Sequence, residues 1–161
     1  MKKFLYSDLK IIFAGICSTL IAIGFGRFSY TPILPNMQNA LNLSSTTMGI
    51  ISSYNYLGYL IGSTIPIIWK YSNDRKIIIF SSISSVITIY LMGIATDVKL
   101  FILLRFLCGI SSALGFIFTI SFMFNFFKDS KNKTLQLYHF CGIGLGIVIG
   151  TIAVWIASIY S

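Results

Sequence analysis

Two arginines hold most of the chemistry this sequence can perform inside apolar surroundings. Arg27 stands in Gly24-Phe25-Gly26-Arg27-Phe28-Ser29-Tyr30-Thr31-Pro32-Ile33-Leu34-Pro35, near the end of a long apolar run, and Arg105 stands in Leu103-Leu104-Arg105-Phe106-Leu107-Cys108-Gly109. A charge in an apolar span costs roughly 2.5–3.5 kcal/mol on insertion scales, so it normally faces a bundle interior or a wet cavity. Arginine suits the capture of an anion because its planar fork grips a carboxylate with two hydrogen bonds. Arg27 has a second reading, in which it lies close enough to the end of its helix to snorkel outward.

Other residue types carry weaker signals. Asn55, Tyr59 and Gly62 share one helical face, and Asn55 has two open readings, an interhelical hydrogen bond or a place in a cavity wall, since a buried amide needs a partner in either case. His139 is the single histidine and the one side chain suited to proton coupling near neutral pH; its alternative is an interfacial side chain. Ser111 and His139 have the residue types of an intramembrane serine protease dyad, in which a base must reach the hydroxyl. Cys17, Cys108 and Cys141 lack the spacing of a metal site or redox motif and read as small packed hydrophobes, so no metal and no cofactor is expected.

These residues are positioned by elements built for lipid. The 161 residues are 56% hydrophobic and only 10% charged, with mean hydropathy +0.86, far from a soluble domain at roughly 25% charged. The pattern predicts an all-α integral membrane protein in contact with the lipid bilayer, since the alternation of a membrane barrel strand is absent. Five spans are expected at about 11–34, 46–69, 77–95, 100–127 and 135–159, with Pro32 and Pro35 ending the first. Lys2 and Lys3 precede a run too long for a signal peptide, so the first span is read as retained. Gly58 and Gly62 in the second span, Gly109 in the fourth and Gly142, Gly146 and Gly150 in the fifth are expected to let helices pack closely.

Net charge of +8 does not point to nucleic acid, because the basic residues fall in small groups between apolar runs. Lys2, Lys3, Lys10, Lys70, Arg75, Lys76, Lys128, Lys131 and Lys133 would lie on one side and Lys99 alone on the other. The positive-inside rule then predicts a multi-pass protein of the cell (inner or plasma) membrane with its N-terminus cytoplasmic and its C-terminus outside. Arg27 and Arg105 would both sit in the outer half, within about 10 Å of its edge at 1.5 Å per residue. No acid neutralises them there: Asp8, Asp74, Asp97 and Asp129 all fall in loops or near the N-terminus, and glutamate is absent. Ser111 and His139 would be more than about 10 Å apart along the membrane normal, which counts against the protease dyad and against an enzyme.

The stretches GFGRFSYTPILPNMQ, SSYNYLGYLIG and LLRFLCGISSALGF resemble the YbfB/YjiJ branch of major facilitator superfamily (MFS) transporters. Arg105 with Gly109 four residues later also matches the broader superfamily pattern. Two departures stand out. Lys70 and Lys76 occupy places where the superfamily loop around Asp74-Arg75 has glycine, and the fifth span lacks the Gly-Pro pair typical of antiporters.

The resemblance implies the first five helices of the six-helix N-terminal bundle, a single truncated transmembrane domain over residues 1–161. Helices 1, 2, 4 and 5 would border a central cavity. Arg27, Tyr30, Asn55, Tyr59 and Arg105 would line it, the arginines holding an anionic group or pairing with carboxylates from a missing half. The implied activity is that of a secondary transporter, a permease or efflux protein, moving a small solute by alternating access and inactive unless a second polypeptide supplies the remaining helices. The alternative is a non-transporting remnant or assembly partner, whose glycine face on the fifth span is left for another chain.

Overall fold

The computed structural model describes residues 2–68, 73–130 and 133–159, with side chains from Asp8 onward. Trp69, placed at the end of the second span, and the loop cations Lys70 and Lys131 lie outside the described residues, as do the side chains of Lys2 and Lys3. The described residues are helical nearly throughout, in the order α1 (Lys2–Thr19), a π-helix (Leu20–Phe28), α2 (Tyr30–Leu41), α3 (Ser45–Ile68), α4 (Asp74–Ile94), α5 (Val98–Phe127), a 3-10 segment (Lys133–Phe140) and α6 (Cys141–Ile159). Four helical stretches among them are long and apolar enough to cross a membrane: Asp8–Leu41, Asp74–Ile94, Val98–Phe127 and Lys133–Ile159. The fifth, α3, has 24 residues, a sufficient length, but Ser52, Ser53, Asn55 and three tyrosines dilute its apolar content.

The first span runs past both prolines, contrary to the expected end near Leu34. α1, the π-helix and α2 follow one another, and the rod ends at Asn42, whose left-handed backbone (φ 51) directs its N–H to the Gln38 carbonyl. Pro32 is tolerated because the change from π to α winding places it in the first turn of α2, where a backbone N–H has no intrahelical partner to lose. Pro35 lies inside α2 and forfeits one bond. Arg27 is therefore about 21 Å from the end of its helix at 1.5 Å per residue, too deep to snorkel to that end.

Other helix starts follow from local chemistry. The Ser44 hydroxyl accepts the Thr47 N–H at 3.1 Å before α3, and the Asn73 side chain accepts the Lys76 N–H at 3.3 Å to open α4. The last span begins as a 3-10 segment before α-winding starts at Cys141.

Contact register gives the helix directions. Gly58 meets Phe106 and Gly62 meets Ile110, so α3 and α5 run parallel; Gly142 meets Ile16 and Gly146 meets Gly24, so α6 and the first span also run parallel. Ser18 pairs with Thr119 and Gly26 with Cys108, so the first span and α5 are antiparallel. Ser84 pairs with Ser111 and Asp74 with Ser121, so α4 opposes α5. Successive spans thus alternate in direction, as consecutive crossings must.

α5 is the hub. Half of its apolar stretch is buried (50%), against 17% for α4 and for the last span. The serine stripe of α4 turns toward it: Ser81, Ser85 and Thr88 are buried, while Ile79, Phe80, Ile83 and Ile87 remain exposed as a lipid-facing surface. Thr88 donates to the Ser84 and Ser85 carbonyls, Ser81 to that of Ile78, and Ser84 pairs with Ser111 of α5, while the buried Ser85 hydroxyl has no partner among the described residues.

Gly142, Gly146 and Gly150 of the last span are buried against the first span. A methyl group added at Gly146 would stand 2.6 Å from the Gly24 Cα, and one at Gly142 would strike the Ile16 carbonyl and Thr19, whereas Gly144 has open space. Overpacking of this kind costs about 1–3 kcal/mol. Gly146→Ala is expected to lower the thermal midpoint of the purified protein by about 2 °C or more, and Gly144→Ala to leave it unchanged, as read by a thermal melt in detergent.

Candidate functional site

The π-helix and the upper parts of α3 and α5 bring the two arginines to one level of the bundle. A π-helix widens the backbone turn and is common at functional sites. Here it carries Gly24, Gly26 and Arg27, and Gly26 is buried against α5. The Gly26 carbonyl accepts from Arg105 Nη1 at 3.4 Å and from Cys108 Sγ at 3.3 Å, so one backbone oxygen ties the first span to the fourth.

Arg105 is 4% exposed, yet no carboxylate reaches it among the described residues. Its guanidinium carbon stands 4.3 Å from the Tyr30 ring centre, and its Nε is buried without a hydrogen-bond partner. The aromatic face and the distant carbonyl are partial compensation only, since a cation–π contact contributes about 2 kcal/mol when desolvated. Tyr30 is itself buried and directs its hydroxyl to the Met48 sulfur at 4.0 Å.

Arg27 turns the other way, onto α3. Its guanidinium carbon lies 4.7 Å from the Tyr59 ring centre and 5.2 Å from that of Tyr56, with the Phe28 ring at 5.8 Å. Its Nε also lacks a partner. Tyr56 is 56% exposed and Tyr59 half-buried, so this cation and its aromatic cradle border an open face. Sequence reasoning missed Tyr56, although its place one helical turn before Leu60 and three residues before Tyr59 puts it beside the face that was singled out.

Asn55 takes the interhelical hydrogen bond. It is 1% exposed and donates from Nδ2 to the Arg105 carbonyl at 3.0 Å, while Gly109 fits against the Asn55 backbone. The amide thus holds the backbone of Arg105 in place and does not border a cavity. Its neighbours Gly58 and Gly62 let α3 approach closely enough for this bond to form.

A cavity of about 280 Å³ lies between α2, α4 and α5, with Arg105, Tyr30 and Ser29 at one end and Met37, Met92 and Phe101 among its walls. Arg27, Asn55 and Tyr59 are not part of that wall. The five residues expected around one cavity therefore divide: Arg105 with Tyr30 on an enclosed side, Arg27 with Tyr59 on an open side, and Asn55 bonded between helices.

His139 lies elsewhere, wholly buried where the 3-10 segment meets α1 and α5. Its Nδ1 is 2.6 Å from the Gln136 carbonyl, its own carbonyl accepts from the Thr19 hydroxyl at 2.5 Å, and its Nε2 has no partner. It is thus a core residue of the bundle and not an interfacial one. Its Cβ and Met123 both border Gly15, twelve residues along α5 from Ser111, or about 18 Å by helical rise. Ser111 Oγ sits 2.8 Å from Ser84 Oγ and 3.0 Å from the Leu107 carbonyl, so the two groups do not form a dyad. The cysteines are free, and no cluster of metal-ligating side chains occurs among the described residues.

Removal of the Asn55 amide tests the clamp. Asn55→Ala is expected to cost about 1 kcal/mol, the net worth of one hydrogen bond, and to lower the thermal midpoint by about 2–4 °C without loss of helical content by circular dichroism.

A family model described as "Uncharacterised MFS-type transporter YbfB" matches residues 19–161. No curated protein and no solved structure matches the chain.

Proposed function

Because the chain belongs to the YbfB-type family of MFS transporters, we propose that it takes part in secondary active transport of a small anionic solute, with Arg105 and Arg27 as the groups that attract and hold the anion. The observation that carries this reading is the buried guanidinium of Arg105, 4% exposed, without a carboxylate partner among the described residues and at the end of a cavity. An uncompensated buried cation costs several kcal/mol, and an anion arriving from outside the chain recovers that energy. The solute's carboxylate or similar group takes the fork of Arg105, and the Tyr30 ring holds the guanidinium in place between turnovers.

Arg27 contributes from the neighbouring face. Cradled by Tyr56 and Tyr59, it borders the open side of the bundle and acts as the first cation an entering anion meets. Opposite that face stands a second helical bundle, from the same or another polypeptide, so that the pathway opens alternately to the two sides of the membrane. Support comes from the exposure of Tyr56 beside a cation in an otherwise lipid-compatible surface. His139 is the group for proton coupling on this reading, with its unpartnered Nε2 as the site that gains and loses the proton.

The orientation proposed is N-terminus inside, in the cell membrane, with the α2–α3 turn outside and the loop after α5 inside. Support comes from the distribution of basic residues. In a cysteine-free background, Asn42→Cys is expected to react with a membrane-impermeant maleimide on intact cells, and Asp129→Cys only after permeabilisation; the reverse pattern inverts the topology.

Uptake or efflux of anionic solutes by vesicles carrying the complete locus tests the site. Arg105→Ala is expected to lower transport at least about tenfold at equal protein level, the loss of one charge-assisted contact. Arg105→Lys is expected to recover little of it, because an ammonium lacks the planar fork. Unchanged transport in both Arg27→Ala and Arg105→Ala removes the arginines from the site.

A further inference from the structure

A second hollow lies at the opposite end of the bundle and plays no part in the anion site. It is a groove of about 400 Å³ between α1, α4 and α5, within the size range of ligand pockets. Ile11, Ala14, Ile78 and Phe122 help form its walls, and Lys10 and Arg75 stand at its rim. At its floor Ser18 and Thr119 bond to each other at 2.7 Å, and Thr119 donates onward to the Gly115 carbonyl at 2.6 Å. That floor therefore has no unmet donor to offer a polar solute.

The two cations come from different spans and meet at one level. Lys10 is two residues into the apolar stretch that starts at Asp8, and Arg75 is the second residue of α4. Both spans run in the same direction, which places these cations at the same membrane boundary and the apolar walls on the hydrocarbon side of them. The Arg75 guanidinium carbon is 5.3 Å from the Phe122 ring centre, which holds it at the rim. Asp74 Oδ2 accepts from Ser121 on α5 at 3.2 Å, and among the described residues the groove wall holds no carboxylate.

We propose that this groove binds an anionic phospholipid, with one acyl chain along the Ile11, Ala14 and Ile78 wall and the headgroup phosphate between Lys10 and Arg75. The apolar wall excludes a small hydrophilic anion, which would leave it empty. Two cations at a boundary favour an anionic over a zwitterionic headgroup, because each basic residue there attracts negative lipid. A contact with the Phe122 ring uses no N–H donor of the guanidinium, so those donors serve phosphate oxygens.

The test uses the delipidated full chain in neutral detergent, with lipid binding read by native mass spectrometry and by thermal shift. Long-chain phosphatidylglycerol is expected to bind at least about tenfold more tightly than phosphatidylcholine of the same chains. Inorganic phosphate at the same concentration is expected neither to compete nor to stabilise. Lys10→Ala with Arg75→Ala is expected to abolish the preference, and Ala14→Phe, which fills the wall and keeps both cations, to weaken both lipids. Equal affinity for the two lipids, or an unchanged preference in the double variant, overturns the proposal; so does Ala14→Phe binding phosphatidylglycerol as well as the unaltered chain. Competition by inorganic phosphate alone overturns the acyl-chain part. None of these readouts depends on transport, so the anion site and the lipid groove stand or fall separately.

Discussion

Backbone contact at glycine is the constraint on which this bundle depends. Inside lipid, apolar side chains gain little by leaving one hydrocarbon environment for another, so helices associate where small residues let their backbones touch. Two such seams organise the chain. Gly58, Gly62 and Gly109 close α3 onto α5, and Gly24, Gly142 and Gly146 close the first span onto α6. Each seam joins parallel helices, and in the α3–α5 seam the four-residue step from Gly58 to Gly62 is matched by the step from Phe106 to Ile110, which sets the register. The Asn55 bond to the Arg105 carbonyl is a consequence of that register.

The buried charge follows from the same packing. Arg105 is enclosed because α5 stands at the centre of the bundle, and a residue on its inward side reaches only neighbouring helices and the cavity between them. The π-winding of the first span then decides what meets it. A wider turn brings the Gly26 carbonyl to Arg105 and Cys108 while Arg27 swings onto the tyrosines of α3. One helix irregularity thus separates two arginines that stand at nearly the same depth. A regular α-helix over the same residues would distribute these side chains differently by the end of nine residues.

Much of this was legible in the residues. The apolar runs and basic clusters give an all-helical membrane protein with alternating crossings, and the alternation is visible in the contact register. Helices approach closely at Gly58, Gly62, Gly109, Gly142 and Gly146, where a side chain would meet backbone of the neighbouring helix. Pro32 and Pro35 misled the reading of the first span: proline ends a helix in water, but a change of winding removes the first proline's penalty and a membrane helix tolerates the second. His139 misled in a similar way. Its place early in its span suggested an interface, yet the 3-10 segment carries it into the core.

By itself the sequence determined what lies within a single helix: the all-helical, apolar character of the chain, the absence of acid from the apolar runs that hold Arg27 and Arg105, and the spacing of the glycines. Those properties depend on local composition and on a fixed helical period, so they need no knowledge of neighbours. Tertiary structure alone decided which face meets which. It divided the five expected cavity residues between an enclosed side, an open side and an interhelical bond, and it assembled a basic-rimmed groove from Lys10 and Arg75, which lie far apart in the chain. The physical reason is that rotation of a helix about its axis is set by packing against others, and a single π-turn or glycine contact shifts that rotation without leaving a periodic trace in the residues.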